Sequence, residues 1–566
     1  MKFSEYVYTR PNYEEFKEEF LQHVQLLEDA DSAATAITQV SKLDDLRSFI
    51  DTQTNLVVIR YSINTNDAFY EAEDEYWSDY LPRYQALTNR FYQVLLNNSF
   101  LPELKEAFPT TLFLFAESEL KVFHDDIIPL LQEENRLSSE YSKLVASAQL
   151  PFDGQILTLP QLTPYMQSKD RQVRKAAAQT HTAFFEQHEA TFDRIYDDMV
   201  KVRTKIAQQL GYPDFVALSY DRMKRFDYDR EMVAGYRKEI LEQVVPVAQR
   251  LYERQADRLG LAELAYYDLP LEFLSGNATP KGDHDALLEH AQAMYHELSP
   301  ETGAFFDFML EHELLDLKSK KGKQSGGYCT YIADYQAPFI FANFNGTSGD
   351  VDVLTHEAGH AFQCFESRWI KQPEIVFPTF ESAEIHSMSM EFITWPWMEG
   401  FFQDETQKYK FSHLGNAVQF LPYGVLVDHF QHEVYEHPEM TPAERKATWR
   451  KLEKMYNPHK NYEDSPALER GIYWYRQGHI FNSPFYYIDY TLAQVCAFQF
   501  WKRFQVDQDP QAWDDYLAIC KVGGSQTFLE LVATAHLKSP FTKGVLTDVM
   551  AAIDAYLMSI PDSALN

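Results

Sequence analysis

Apolar residues recur at helical spacing through most of this chain. Phe16, Phe20, Val24 and Leu27 form one stripe of a helix beginning near Tyr13. Similar amphipathic patterns run to about Gln149, with Leu112–Phe115 as a short apolar run. The first 150 residues contain no glycine, which favours helices over turn-rich sheet. The texture changes at Leu150–Pro160, LPFDGQILTLP, where an Asp-Gly turn signal precedes alternation. This pattern predicts a small hairpin and marks a boundary between an N-terminal helical portion, 1–150, and the remainder, 151–566. Helices are expected again over Ser168–Phe192 and Ile195–Gln209 and on to about Leu317, with a looser Gly/Pro stretch at Ser275–Asp283. Pro338–Gly346, PFIFANFNG, is aromatic, bounded by Pro and Gly, and the most strand-like segment. The fold class expected is mainly α with a small β element.

The stretch on which the rest turns is Val351–Phe365, VDVLTHEAGHAFQCF. Val353, Leu354, Ala358, Ala361, Phe362 and Phe365 fit a buried helix, and Thr347-Ser348-Gly349-Asp350 offers it a cap and an acidic first turn. His356 and His360 are four residues apart and so leave one face. Two neutral imidazoles there can hold zinc, with Glu357 placed to take a proton from a zinc-bound water. Gly359 costs about 1 kcal/mol against Ala inside a helix, which is reasonable if another segment passes close by. The strand just upstream could offer a free edge to an extended peptide, or be an ordinary core strand.

His-Glu alone is uninformative, since it also occurs at His188-Glu189, His296-Glu297, His312-Glu313 and His432-Glu433 without a second histidine in place. A third ligand is needed. Phe377–Phe392, FPTFESAEIHSMSMEF, reads as a helix capped by Thr379 and apolar almost all round, so its carboxylates want partners. Glu384 is the first choice as ligand and Glu381 the second; His386 and Glu391 are candidates for orienting the ligands. A rival cluster, His429, His432, Glu433 and His437, does not follow a known zinc-helix order and is read as a polar helix face. Further on, His479 with Tyr487 and Tyr490 is suited to donating hydrogen bonds to an oxyanion.

Composition narrows the setting. The formal charge is −33, from 84 acidic and 51 basic residues, which argues against nucleic acid or anionic membrane as partner. The N-terminus lacks an apolar h-region and no apolar run approaches a membrane span, so neither a signal peptide nor a spanning helix is expected. Cys329, Cys364, Cys496 and Cys520 are scattered and read as reduced core residues of a cytoplasmic protein.

Several stretches resemble the oligoendopeptidase F group of the thimet oligopeptidase and neurolysin class of zinc metallopeptidases. They are Phe152-Asp-Gly with Leu157-Thr-Leu and Asp170-Arg171, Gly322–Thr330, Pro338–Thr347, the His356–His360 helix, Glu384–Glu391 and His479–Tyr490, in the expected order. The resemblance implies an elongated, mainly α enzyme with a deep central channel and the zinc on its floor. It implies one zinc per chain on His356, His360 and Glu384, with Glu357 as base. It also implies oxyanion donors at His479 and Tyr490, with Tyr487 next in line; Tyr486 could take the place of a further substrate-contacting tyrosine. The implied activity is endopeptidase cleavage of short unstructured peptides. Two rivals stay open: a helical metallocarboxypeptidase, for which Arg470 or Arg476 could hold a C-terminal carboxylate, and a non-catalytic peptide-binding protein, which would have no need of Glu357.

Overall fold

A computed structural model describes residues 1–324, 326–463 and 465–565, together with all their side chains except that of Asp125. Among the described residues helices dominate, with five short strands. The first 121 residues form helices at Tyr13–Glu28, Ala33–Ile63, Ala68–Leu96, Leu101–Ala107 and Thr110–Lys121. The first three start on side-chain caps: Asn12 accepts from the Glu14 and Glu15 amides, Ser32 from Thr35 and Asp67 from Phe69 and Tyr70. The Phe16, Phe20, Val24 and Leu27 stripe is buried in a core with Leu43, Trp77 and Phe91.

Two compact units are made from alternating parts of the chain. The first joins residues 1–121, 279–406 and 496–538; the second joins 122–278, 407–495 and 539 onward.

In the second unit the expected hairpin is present as β1 (Leu150–Phe152) and β2 (Gln155–Leu157), paired Leu150 to Leu157. Asp153 and Gly154 make the turn, both at positive φ, +50° and +72°, as a two-residue primed turn requires. The alternation ends sooner than its pattern suggests. Thr158 accepts from the Gln161 amide while the Gln161 side chain accepts from the Thr158 amide, and this capping box starts a helix at Leu159–Met166. The helices after it break at His188, giving Arg171–Gln187 and Glu189–Gln209, rather than after Phe192. One apolar face runs through both, so its period hides a one-residue joint.

The first unit holds the other sheet. β3 (Leu315–Lys318), β4 (Tyr328–Ile332) and β5 (Ala337–Phe344) lie in the order β3-β5-β4, with β5 parallel to β3 and antiparallel to β4. Helix therefore gives way to strand at Leu315, short of the expected limit at Leu317. β5 is the aromatic strand, but it has no free edge for a peptide, because both sides are taken. Six consecutive buried residues, Ala337–Ala342, are the mark of a central strand covered on both faces. β3 and β4 are the outer strands, and Asn55, on the helix Ala33–Ile63, donates to the Tyr331 carbonyl of β4.

Among the described residues no helix is long and apolar enough to cross a membrane. The four cysteines are free; three are buried and Cys329 is half-buried.

Candidate active site

β5 leads through a short turn into the helix Gly349–Glu366, which carries the histidine pair. Neither Thr347 nor Ser348 caps it with a side chain. Asp350, inside the first turn, instead ties down the incoming turn, accepting the Asn345 amide at 2.9 Å and the Gly346 amide at 2.7 Å. A carboxylate there also suits the positive end of the helix. Val351, Leu354, Ala358, Ala361 and Phe362 are buried.

The next helix, Phe380–Ile393, crosses this one at Gly359. A Cβ on Gly359 would stand 2.6 Å from the His386 carbonyl oxygen and 2.7 Å from Ser387 Cα. The glycine is what lets two backbones come this close. Thr379 stands at the N-cap position, but its hydroxyl pairs with that of Ser382 at 3.1 Å and caps no amide.

The crossing brings Glu384 to the imidazoles. Its Oε2 lies 3.3 Å from His356 Nε2 and 3.7 Å from His360 Nε2. Among the described residues, these three form the sole His/Cys/Asp/Glu group whose ligand atoms lie within 4.8 Å of one another. Glu381, the other carboxylate considered, is buried on the same helix and is not in that group. The donor set fits zinc, being two imidazoles and one carboxylate. His356 Nδ1 donates to Glu391 Oε1 at 2.7 Å, which holds the ring so that Nε2 faces Glu384. Glu384 also accepts from Ser387 Oγ at 3.0 Å.

The charges of the protein groups follow from burial and from one another. Burial opposes a charge on His356, but its hydrogen bonds to Glu384 and Glu391 outweigh this and hold its pKa well above the usual imidazole value. Burial takes His360 down to about 4. Burial would raise Glu384, yet the hydrogen bond from His356 and the charge of both rings bring it to about 2. It is thus an anion across the whole working range. Glu357 is 8 % exposed, and burial pushes it up to about 7, against the pull of His356 and with Glu384 and Glu391 adding to the rise. A carboxyl group near neutrality can both take and return a proton.

His386 does not orient a ligand. Its ring is buried beside Tyr516, hydrogen-bonds none of the three, and sits at about 4 through burial, against nearby backbone of Ile519, Ser382 and Ala383. Its contribution is the carbonyl, which faces Gly359 and accepts from Tyr516 at 2.8 Å.

The second unit gathers His479 with three tyrosines. Ring centroids of Tyr487, Tyr486 and Tyr490 lie 4.9, 5.9 and 6.0 Å from that of His479. Gln477 organises the group, though nothing in the sequence marks it out. Tyr423 donates to Gln477 Oε1 at 2.8 Å, and Gln477 Nε2 donates to His479 Nδ1 at 2.8 Å. The imidazole therefore carries its proton on Nε2, and burial lowers its pKa, so it presents a neutral N–H donor.

The tyrosine helix, Tyr487–Trp501, is launched from Phe485, a non-glycine residue at φ +66°. That conformation costs on the order of 1–3 kcal/mol and needs anchoring. Gln431 accepts the Phe485 amide at 2.9 Å, Arg225 donates to its carbonyl, and the His432 ring packs edge-on to it at 5.2 Å. His432 is 3 % exposed and lies 3.6 Å from the buried Asp428, so the polar-face reading fails for it. His429 bonds the Tyr456 hydroxyl at 3.0 Å.

Comparison with known proteins shows the family. Residues 3–123 match the peptidase M3 N-terminal domain, and residues 164–550 match peptidase family M3. The oligoendopeptidase F homolog of Lactococcus lactis subsp. lactis (strain IL1403) is 26 % identical over 399 residues, 67 % of this chain and 62 % of its own length. The chain thus spans less than two thirds of that curated relative. Solved structures match over the full length. Pz peptidase A with an inhibitor is 51 % identical with a TM-score of 0.92, over 99 % of this chain and 100 % of that one. A candidate oligoendopeptidase F from Bacillus anthracis str. Ames is 50 % identical with a TM-score of 0.88, over 100 % and 99 %. With family models over most of its length and half its residues shared with these structures, the chain belongs to peptidase family M3, in the oligoendopeptidase F group.

Proposed function

We propose that the protein is a zinc-dependent endopeptidase that hydrolyses internal bonds of short, unstructured peptides. The observation that carries the reading is the convergence of His356, His360 and Glu384 with Glu357 beside the first histidine. Zinc, when bound there, supplies a Lewis acid that polarises a carbonyl and acidifies a water. Glu357 removes a proton from the attacking water, and the oxygen adds to the peptide carbonyl carbon. Glu357 then passes the proton to the amide nitrogen as the C–N bond breaks. His479 Nε2–H and the Tyr490 hydroxyl are assigned as donors to the oxyanion, with Tyr487 next in line; the tautomer fixed by Gln477 supports His479 in that role. Glu391 holds His356 in the orientation its Nε2 needs.

The family and the printed names of the relatives support oligopeptides as substrates. Free, mostly buried cysteines suit the cytoplasm as the place of work. A pure peptide binder would not require Glu357, so the catalytic reading is preferred. The carboxypeptidase reading keeps one observation in its favour, an arginine at 476 facing a cavity.

A peptide blocked at both ends tests the proposal. The wild-type protein should cut it internally, stop when treated with a chelator, and recover with zinc. Glu357→Gln should bind as much zinc as wild type and lose nearly all turnover. A variant that kept a tenth of wild-type kcat would remove Glu357 as base, and products released only from an unblocked C-terminus would replace the endopeptidase reading with the carboxypeptidase one.

A further inference from the structure

Arg470 and Arg476 are close in sequence and differ in their surroundings. Arg470 is committed, lying 2.9 Å from Glu189 and 3.3 Å from Glu186. Arg476 has no carboxylate within ion-pair distance among the described residues. Its neighbours are phenols: Tyr473, whose ring centroid is 4.5 Å from Cζ, and beyond it Tyr423, Tyr462 and Tyr487. The side chain is exposed and lines a cavity of about 100 Å³ within the second unit.

That cavity is built for negative charge. Lys460, Tyr473, His181 and Thr182 line it with Arg476, apolar side chains such as Phe185 and Ile472 complete the wall, and no Asp or Glu among the described residues takes part. Lys460 Nζ lies 3.3 Å from the centroid of the same Tyr473 ring that Arg476 covers. Two cations on one phenol repel each other and are at rest only when an anion answers them. Glu453 answers Lys460 at 3.5 Å, but it also serves Arg450 and the Tyr462 hydroxyl. Arg476 is left over, in a chain whose net charge is −33. Burial first, then Arg476, push His181 down to about 3, so it offers a neutral ring and not a third charge.

Size and shape choose the ligand class. At roughly 30 Å³ per water, the cavity holds about three waters' worth of matter. That is room for a carboxylate and an adjoining methylene. The flat guanidinium fork pairs two oxygens at once. The pocket wall is tied to the His479 group: Gln477 and Gly478 alone separate Arg476 from His479 in sequence, and ring contacts run from Tyr473 through Tyr423 to Tyr487 at 6.4 and 5.9 Å and on to His479 at 4.9 Å.

We propose that this cavity is an anion subsite that takes a carboxylate of the peptide substrate, from its C-terminus or from an Asp or Glu side chain. The inference rests on the peptidase reading above. It makes Arg476 a determinant of which peptides are preferred.

The test uses one peptide sequence in three forms with acetylated N-termini: a neutral C-terminal amide, the free C-terminal acid, and the amide with one Gln replaced by Glu. For the acid that uses the pocket, kcat/KM in the wild type should exceed that of the neutral amide by tenfold or more, mostly through KM. Which acid gains identifies the source of the carboxylate. In Arg476→Gln the ratio should fall toward one, with Arg476→Lys between. Wild-type ratios near one for both acids, or ratios that survive Arg476→Gln, overturn the inference. If Arg476→Gln does not fold, the wild type still decides: at fixed ionic strength, acetate should compete with the favoured acid and not with the amide, and equal competition with both, or none, overturns it. Failure of the wild type to cut the neutral amide overturns the endopeptidase reading instead, so the two outcomes separate.

Discussion

Replacing Gly359 by Ala adds one methyl group where two helices cross, and the structure sets what it must do. The new Cβ would lie 2.6 Å from one backbone atom and 2.7 Å from another. Since both are backbone, no rotamer change relieves them. Restoring ordinary contact at about 3.4 Å needs a separation of roughly 0.7 Å between the helices, whereas metal–ligand distances tolerate about ±0.2 Å. Glu384 rides on the displaced helix, two residues before His386. Overpacking of this kind costs about 1–3 kcal/mol, partly offset by the roughly 1 kcal/mol that Ala gains over Gly in a helix. Stability should therefore fall modestly, by a few degrees in the apparent Tm, while zinc affinity falls by about 10–100-fold, the range typical when ligand support is disturbed. Competition titration with a chromogenic chelator and a melting curve on the same preparation measure both. If Gly359→Ala bound zinc as tightly as wild type, the close crossing would not be what places Glu384, and the account of this site would have to be rebuilt.

Other outcomes follow from the same packing. Glu384→Ala should lose most of its zinc by elemental analysis, and Glu381→Ala should keep it; the reverse result would exchange their roles. Tyr490→Phe should lower kcat by about 10²–10³ with a much smaller change in KM, because the hydroxyl is assigned to the transition state; normal kcat with a lowered melting temperature would make it a packing residue. Asp268 is fully buried and accepts from Arg171, Arg174 and the Ala265 amide. Burial would raise its pKa, but those bonds bring it below the ordinary value. A depressed folded pKa means the stabilisation is complete above the unfolded value of about 3.9 and is lost as pH falls through the lower folded value. Asp268→Asn, which leaves two arginines without their partner, should cost about 3–5 kcal/mol at neutral pH and flatten the acid limb of the stability curve below about pH 4; an unchanged acid limb would refute the linkage.

The sequence was most informative where structure is local. A stripe such as Phe16–Leu27 repeats every turn, and His356 and His360 face the same way on any helix, so both were visible without knowing what lies around them. What decided between Glu381 and Glu384 was a crossing at Gly359, which involves residues about 25 positions apart in sequence and leaves only a glycine as its trace. β5 was recognisable as a strand from its apolar run, but its lack of a free edge depends on β3 and β4, two short strands with little pattern of their own. Caps were misplaced for a similar reason: Thr347, Ser348 and Thr379 are all good cap residues, but their side chains cap neither helix, and at the histidine helix it is Asp350 that fastens the incoming turn. His432 read as polar surface because nothing in the sequence reveals that Asp428 beside it is buried. Gln477 escaped notice since an amide carries no charge, and its importance lies in a chain of hydrogen bonds.

The alternating make-up of the two units bears on how the chain is born. Neither can be completed from a contiguous stretch of polypeptide: the first needs residues 496–538 to meet 1–121, and the second needs the tail from 539 onward. At about 5–20 residues per second, a ribosome spends roughly 25–100 s making the first 495 residues before that last segment of the first unit begins to emerge. Until then the helix Thr110–Lys121 waits for Gly523–Ser525, and the histidine helix, once made, for Ala512–Val522, the segments each packs against in the finished unit. Such a nascent chain offers long-lived sticky surface to chaperones. The proposed metal ligands, all within 356–384, are made well before the unit that must keep them in register is finished.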